Sequence, residues 1–129
     1  MRHLLDTHTV LWFLLDSERL SDAAAAIIEG EQASEGIAVS IASLWEFTVK
    51  HSLGKLQFEG GVASLRSMID ANGWDVLPVA QRHLEALSDL PYLHRDPFDR
   101  LLVATALADV LTLVTADENI HGYGVPWVW

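Results

Sequence analysis

Short apolar runs of strand length alternate with longer helix-forming runs along the chain. This alternation leaves few folds open, and it predicts an α/β domain with a central parallel sheet of about five strands flanked by helices. The strands are expected near Arg2 to Leu5, Ile37 to Val39, Asp75 to Val79, Thr112 to Thr115 and Pro126 to Val128. Between them, Thr7 to Leu14 reads as a short helix, and Ser21 as the N-cap of Asp22 to Glu29, with Gly30 at its end. Ser40 is placed to cap Ile41 to His51, while Gly61 to Ala71 and Ala80 to Leu87 are further helical stretches. Asp96-Pro97 joins a capping residue to a proline suited to the first helical position. Phe98 to Ala108 is then apolar almost all round, as a buried helix is. At 129 residues one core accounts for the chain, so residues 1–129 are expected to form a single domain.

A parallel sheet puts every strand carboxyl end on one edge, together with the N-termini of the helices that follow. Four acids fall on that edge: Asp6 after the first strand, Glu46 in the helix after the second, Asp99 in the first turn of the buried helix, and Asp117 after the fourth strand. Their convergence is a prediction about topology, because the sequence separations are large. Clustered carboxylates raise one another's pKa unless a positive charge sits among them. Carboxylate oxygens without cysteine or a histidine pair at ligand spacing suit a hard divalent ion, so Mg2+ or Mn2+ is expected rather than Zn2+. Water on such an ion has a lowered pKa and can attack phosphorus, which makes phosphodiester hydrolysis the natural chemistry.

Composition narrows the partners. Eight Lys and Arg against 18 Asp and Glu give a formal charge of −10, which argues against a generic nucleic-acid coat and confines any such contact to a local patch. The absence of cysteine excludes a disulfide framework, a thiolate nucleophile and a zinc–thiolate site, and is compatible with a cytoplasmic location. No secretory leader is expected around Val10 to Leu15, which lies between Asp6 and Asp16 with no basic segment before it. The longest apolar run, Leu101 to Ala116, contains Asp109 and falls short of the roughly 18 residues of a membrane span, so no membrane association is expected.

Four segments, taken together, carry a family resemblance: Leu4-Leu5-Asp6-Thr7-His8, Ser40-Ile41-Ala42-Ser43-Leu44-Trp45-Glu46, His94-Arg95-Asp96-Pro97-Phe98-Asp99-Arg100-Leu101-Leu102-Val103-Ala104 and Leu113-Val114-Thr115-Ala116-Asp117-Glu118. In that order they resemble the PIN-domain ribonucleases, and most closely the VapC toxins of bacterial type II toxin–antitoxin systems. The resemblance spans nearly the whole chain. It implies a Rossmann-like sheet, Mg2+- or Mn2+-dependent endonucleolytic cleavage of RNA, inhibition by a cognate antitoxin, and usually a homodimer within a toxin–antitoxin hetero-oligomer. Carried over by position, Asp6, Glu46, Asp99 and Asp117 form the acidic metal and catalytic site, with Asp6 and Asp99 the surest ligands, and Thr115 orients the last acid.

Each feature also has a purely structural reading. Asp6 fits a strand-end turn, Asp96 a helix cap before Pro97, Asp99 a capping box, and Asp117 or Thr115-x-x-Glu118 the cap of a short following helix. Glu46, in apolar company, needs an arginine partner or solvent. Arg95 and Arg100 are candidates for RNA phosphate contact, or for salt bridges to Asp96 or Asp99. His8 and His94 carry some weight as neighbours of acids, whereas His51, His83 and His121 read as fillers; Trp12, Trp45 and Trp74 read as core anchors. Among other functions, an Asp-x-Asp phosphatase is disfavoured because His8 stands at the second position, and a phospho-receiver because no lysine follows Lys55. The alternative that remains is a catalytically silent α/β interaction domain whose acids only cap helices.

Overall fold

The computed structural model describes residues 2–30 and 36–129. Its elements run β1 (His3–Leu5), α1 (Thr7–Leu14), α2 (Asp22–Glu29), β2 (Ile37–Ser40), α3 (Ile41–Ser52), α4 (Gly61–Ala71), β3 (Asp75–Leu77), α5 (Gln81–Asp89), α6 (Pro97–Asp109), β4 (Thr112–Val114), α7 (Glu118–His121) and β5 (Trp127–Val128). All four strand pairings are parallel, and the strand order is β3-β2-β1-β4-β5. The chain lays down β1, β2 and β3 in one direction and then returns to the other side of β1. A crevice therefore opens outside the carboxyl ends of β1 and β4, where ligands of open α/β sheets bind.

Side chains alternate across the strands, so the inner ones are apolar on both faces. Leu5, Val39 and Val114 face one core with α1 to α4, and Leu4, Ala38 and Leu113 face the other with α6 and α7. The edge strand β3 is shorter than expected because Pro78 has no N–H to continue the ladder. Asp75 on that edge pairs with Arg2.

The caps follow the sequence closely. Ser21, Ser40 and Asp96 accept backbone N–H bonds at the starts of α2, α3 and α6. Helix α5 has no hydroxyl cap. Instead the buried His83 accepts the Ala80 N–H at Nδ1 (3.0 Å), which fixes its proton on Nε2 for donation to Asp109 (2.9 Å), and Arg82 also binds Asp109 (2.7 Å). His83 thus ties α5 to the end of α6 rather than filling space. Among the described residues no helix is long and apolar enough to cross a membrane.

Candidate metal centre

Asp6 leaves β1 and caps α1: its Oδ1 accepts the Thr9 N–H (2.8 Å) and its Oδ2 accepts the Thr115 hydroxyl (2.5 Å). The Thr115 hydroxyl in turn accepts the Asp117 N–H (3.1 Å). Thr115 therefore joins the first acid to the last across the crevice, holding Asp6 by its side chain and Asp117 by its backbone. The His121 ring donates from Nε2 to the Thr115 carbonyl (2.9 Å) and stacks on Trp127 with ring centroids 3.4 Å apart, so the turn after β4 is held from below as well. Asp117 caps α7 by accepting the Asn119 N–H (2.9 Å), and the helix starts at Glu118, so the Thr115-x-x-Glu118 capping box does not form.

Glu46 is 2% exposed and has neither the arginine partner nor the solvent that its apolar neighbours suggested. Its Oε1 accepts the Thr7 hydroxyl (2.6 Å) and its Oε2 the Lys50 ammonium one helical turn on (2.6 Å). Burial works against the charge on Lys50, but the bond and charge of Glu46, with Asp96 and Asp99 beyond, hold its pKa above the ordinary lysine value.

Asp99 is the strained member. Asp96 performs the capping of α6, accepting from Phe98 N (2.9 Å) and Asp99 N (3.3 Å), and leaves the Asp99 carboxyl aimed into the site. Burial, then the charges of Asp96, Asp117 and Glu46, then a hydrogen bond with Asp117, push the Asp99 pKa up to about 8. Burial also raises Asp6, against the bonds from Thr115 and Thr9 that favour its charged form.

The one candidate metal-holding set among the described residues is His94, Asp99 and Asp117, whose donor atoms all lie within 4.8 Å of one another. His94 Nε2 is 3.4 Å from Asp99 Oδ2. Asp6 and Glu46 stand on the same strand-end edge but outside that set, each with both oxygens already bonded. His94 is the residue that sequence reasoning undervalued; its adjacency to Arg95-Asp96 was the only signal. A tyrosine far along the chain fixes its position: the Tyr123 hydroxyl accepts the His94 N–H (2.9 Å) and an Arg100 N–H (3.2 Å). Arg100 also donates to the Pro91 carbonyl (3.0 Å) and lies over the Tyr92 ring, so it braces the loop before α6 instead of pairing with Asp96 or Asp99. Trp45 corrects the expectation of a core anchor: it is 58% exposed and packs edge-on against Phe98, whereas Trp74 is buried as expected.

The donors fit a divalent cation. Two carboxylates and an imidazole converge where one carboxyl stays protonated near neutral pH, so a cation there would relieve the repulsion.

A PIN domain family model matches residues 3–125. No curated protein sequence matches the chain. Among solved structures the fold is similar to VapBC2 from Rickettsia felis bound to a promoter DNA fragment, with a TM-score of 0.74, 16% identity and coverage of 99% of this chain and 98% of that one. It is also similar to VapBC-1 from nontypeable Haemophilus influenzae (TM-score 0.69, 15% identity, 99% and 97% covered) and to FitAcB from Neisseria gonorrhoeae (0.67, 17%, 98% and 96%). With a family match over nearly its full length and the five-stranded parallel sheet that carries the acids, this chain belongs to the PIN-domain family.

Proposed function

We propose that this PIN domain is a metal-dependent endoribonuclease that acts as the toxin of a type II toxin–antitoxin pair. The observation that carries the reading is Asp99. Asp6, Asp96 and Asp117 each cap a helix, as a silent interaction domain would require, but the Asp99 carboxyl caps nothing and sits at an electrostatic cost among other acids. A site that keeps such a group is built for a cation.

In this reading Asp99, Asp117 and His94 hold the ion, and Asp6 and Glu46 complete the acidic site through Thr115, Thr7 and Lys50. The imidazole among the donors favours Mn2+ over Mg2+. A bound divalent ion supplies Lewis acidity toward a phosphodiester and a water of lowered pKa. The chain's own part is to hold the carboxylates in place by hydroxyl and ammonium donors, and to offer Arg95 and Arg100 to the RNA backbone. One structure of similar fold is a toxin–antitoxin complex from Klebsiella pneumoniae, which supports an antitoxin as partner; the reading also takes the toxin to be a homodimer within a toxin–antitoxin hetero-oligomer. The reading keeps residues 1–129 as one domain in the cytoplasm.

Asp6→Asn and Asp99→Asn should each abolish Mn2+-dependent cleavage of RNA while circular dichroism stays native. Undiminished cleavage by both variants would overturn the nuclease reading. Expression of the chain should arrest growth, and co-expression of the small protein encoded beside it should restore growth; unaffected growth would remove the toxin role alone.

A further inference from the structure

Beside the acids lies a cavity of about 260 Å3 lined by Asp6, His8, Trp12, Arg19, Ala116 and Asp117. A larger one, about 430 Å3, lies between the end of α1 and the start of α4, contains a single acid and no cation, and is remote from the strand carboxyl ends. Size alone therefore does not mark a site, and chemistry singles out the smaller cavity.

Its walls are of two kinds. One carries Asp6 and Asp117, and the other carries an aromatic pair, His8 and Trp12, one helical turn apart with ring centroids 5.6 Å apart; Trp12 is backed by Trp129 at 5.7 Å. Arg19, an exposed residue, completes the lining. Arg2, Arg66 and Arg82 are paired with Asp75, Asp70 and Asp109, Lys50 with Glu46, and Arg100 is bonded to Pro91 and Tyr123, while Lys55 and Arg95, which also have no carboxylate partner among the described residues, do not line this cavity. Among the described residues no carboxylate pairs with Arg19, although the protein has ten more acids than bases. A guanidinium with no carboxylate partner offers its N–H groups to an anion, such as a phosphate, that approaches alongside the metal site.

From this geometry we infer that the cavity is a subsite for one nucleotide of single-stranded RNA next to the cleaved bond, with Arg19 binding its phosphate and the His8–Trp12 face stacking its base. The inference rests on the nuclease reading and adds a location and strandedness to it. A base can reach a ring face inside a cavity only when it is unstacked, which a single strand permits and a duplex resists. Guanidinium, aromatic face and metal donors then meet the phosphate, base and scissile ester of the same strand.

The test uses the full chain, a fluorescein-labelled single-stranded 12-mer RNA of mixed sequence, and its duplex, with Mn2+ affinity measured in parallel by calorimetry. Arg19→Gln should weaken single-strand binding about tenfold and lower the slope of log Kd against log salt by roughly 0.7. Mn2+ affinity should stay unchanged and Arg19→Lys should recover part of the loss. Lys55→Gln, an equal charge change on an exposed loop, should alter the single-strand Kd less than twofold. His8→Ala should flatten the base preference at one position beside the cut in a randomised RNA pool. Wild-type affinity in Arg19→Gln, or equal binding of duplex and single strand, overturns the subsite while leaving the nuclease reading intact. If wild type binds Mn2+ and no RNA, both fall.

Discussion

The Asp99 carboxyl, with a pKa near 8, sits where burial and three neighbouring acids oppose its charge. Near pH 7 it is mostly protonated, and a cation bound there must displace that proton. Calorimetric Mn2+ titrations in buffers of different ionisation enthalpy should therefore show about one proton released at pH 7 and almost none at pH 9. In the metal-free protein the sign is equally fixed. A carboxyl whose folded pKa lies above its unfolded value of 3.8 contributes stability below that value and loses it as pH rises through about 8. Thr115 offers a second residue-level test: Thr115→Val removes the donor to Asp6 and the acceptor for the Asp117 N–H, and urea unfolding should show a loss of about 1–3 kcal/mol. The acids themselves were legible because strand ends and helix starts are written locally. His94 and Trp45 were not. What places His94 is a hydroxyl 29 positions away on Tyr123, and Trp45 stays largely exposed with its ring edge-on to Phe98 of α6; neither contact has a local pattern.

Helix α6 shows how a single cap serves both folding and site. Asp96→Ala should cost about 1 kcal/mol by removing the bonds to Phe98 N and Asp99 N. It also deletes the charge that does most to raise Asp99, so the net loss should be larger at pH 5, where Asp99 is neutral, than at pH 9, where relief of repulsion offsets the lost cap. Denaturation at the two pH values reads the difference. The other end of α6 closes on Val110 at φ 55°, a left-handed conformation that a β-branched side chain resists. Val110 is exposed, so Val110→Gly should raise stability by about 1 kcal/mol despite the flexibility it adds to the unfolded chain. Element order was readable because Ser21, Ser40 and Asp96-Pro97 signal helix starts and the inner strands are continuously apolar. The end of β3 and the start of α5 were less so, since one depends on an edge position and the other on the side chain of His83 in place of a capping hydroxyl.

The sheet order β3-β2-β1-β4-β5 turns these local features into a site by placing Asp6 and Thr115 just past the ends of adjacent strands at the switch point, although 109 positions separate them in sequence. Order of this kind is not encoded by any one segment, which is why the sequence indicated a shared edge but not which acids would touch. The resulting edge holds more negative charge than the protein's own cations neutralise: Lys50 is committed to Glu46, and the pressure falls on Asp99. An ion that binds only the folded protein stabilises it by mass action, about 2.7 kcal/mol at a hundred times its Kd, which for a chain of this size is a rise in Tm on the order of 10 °C. That gain should grow with pH up to about 8, as the competing proton leaves Asp99, while the metal-free protein loses stability over the same range. Thermal unfolding with and without Mn2+ should thus give two curves that diverge between pH 5 and 8. In Asp99→Asn the gain from Mn2+ should fall away, because an amide at that position neither carries the charge that attracts the ion nor repels its neighbours. Parallel curves in the wild type would mean that the acidic edge is neutralised by its own protons and not by a cation.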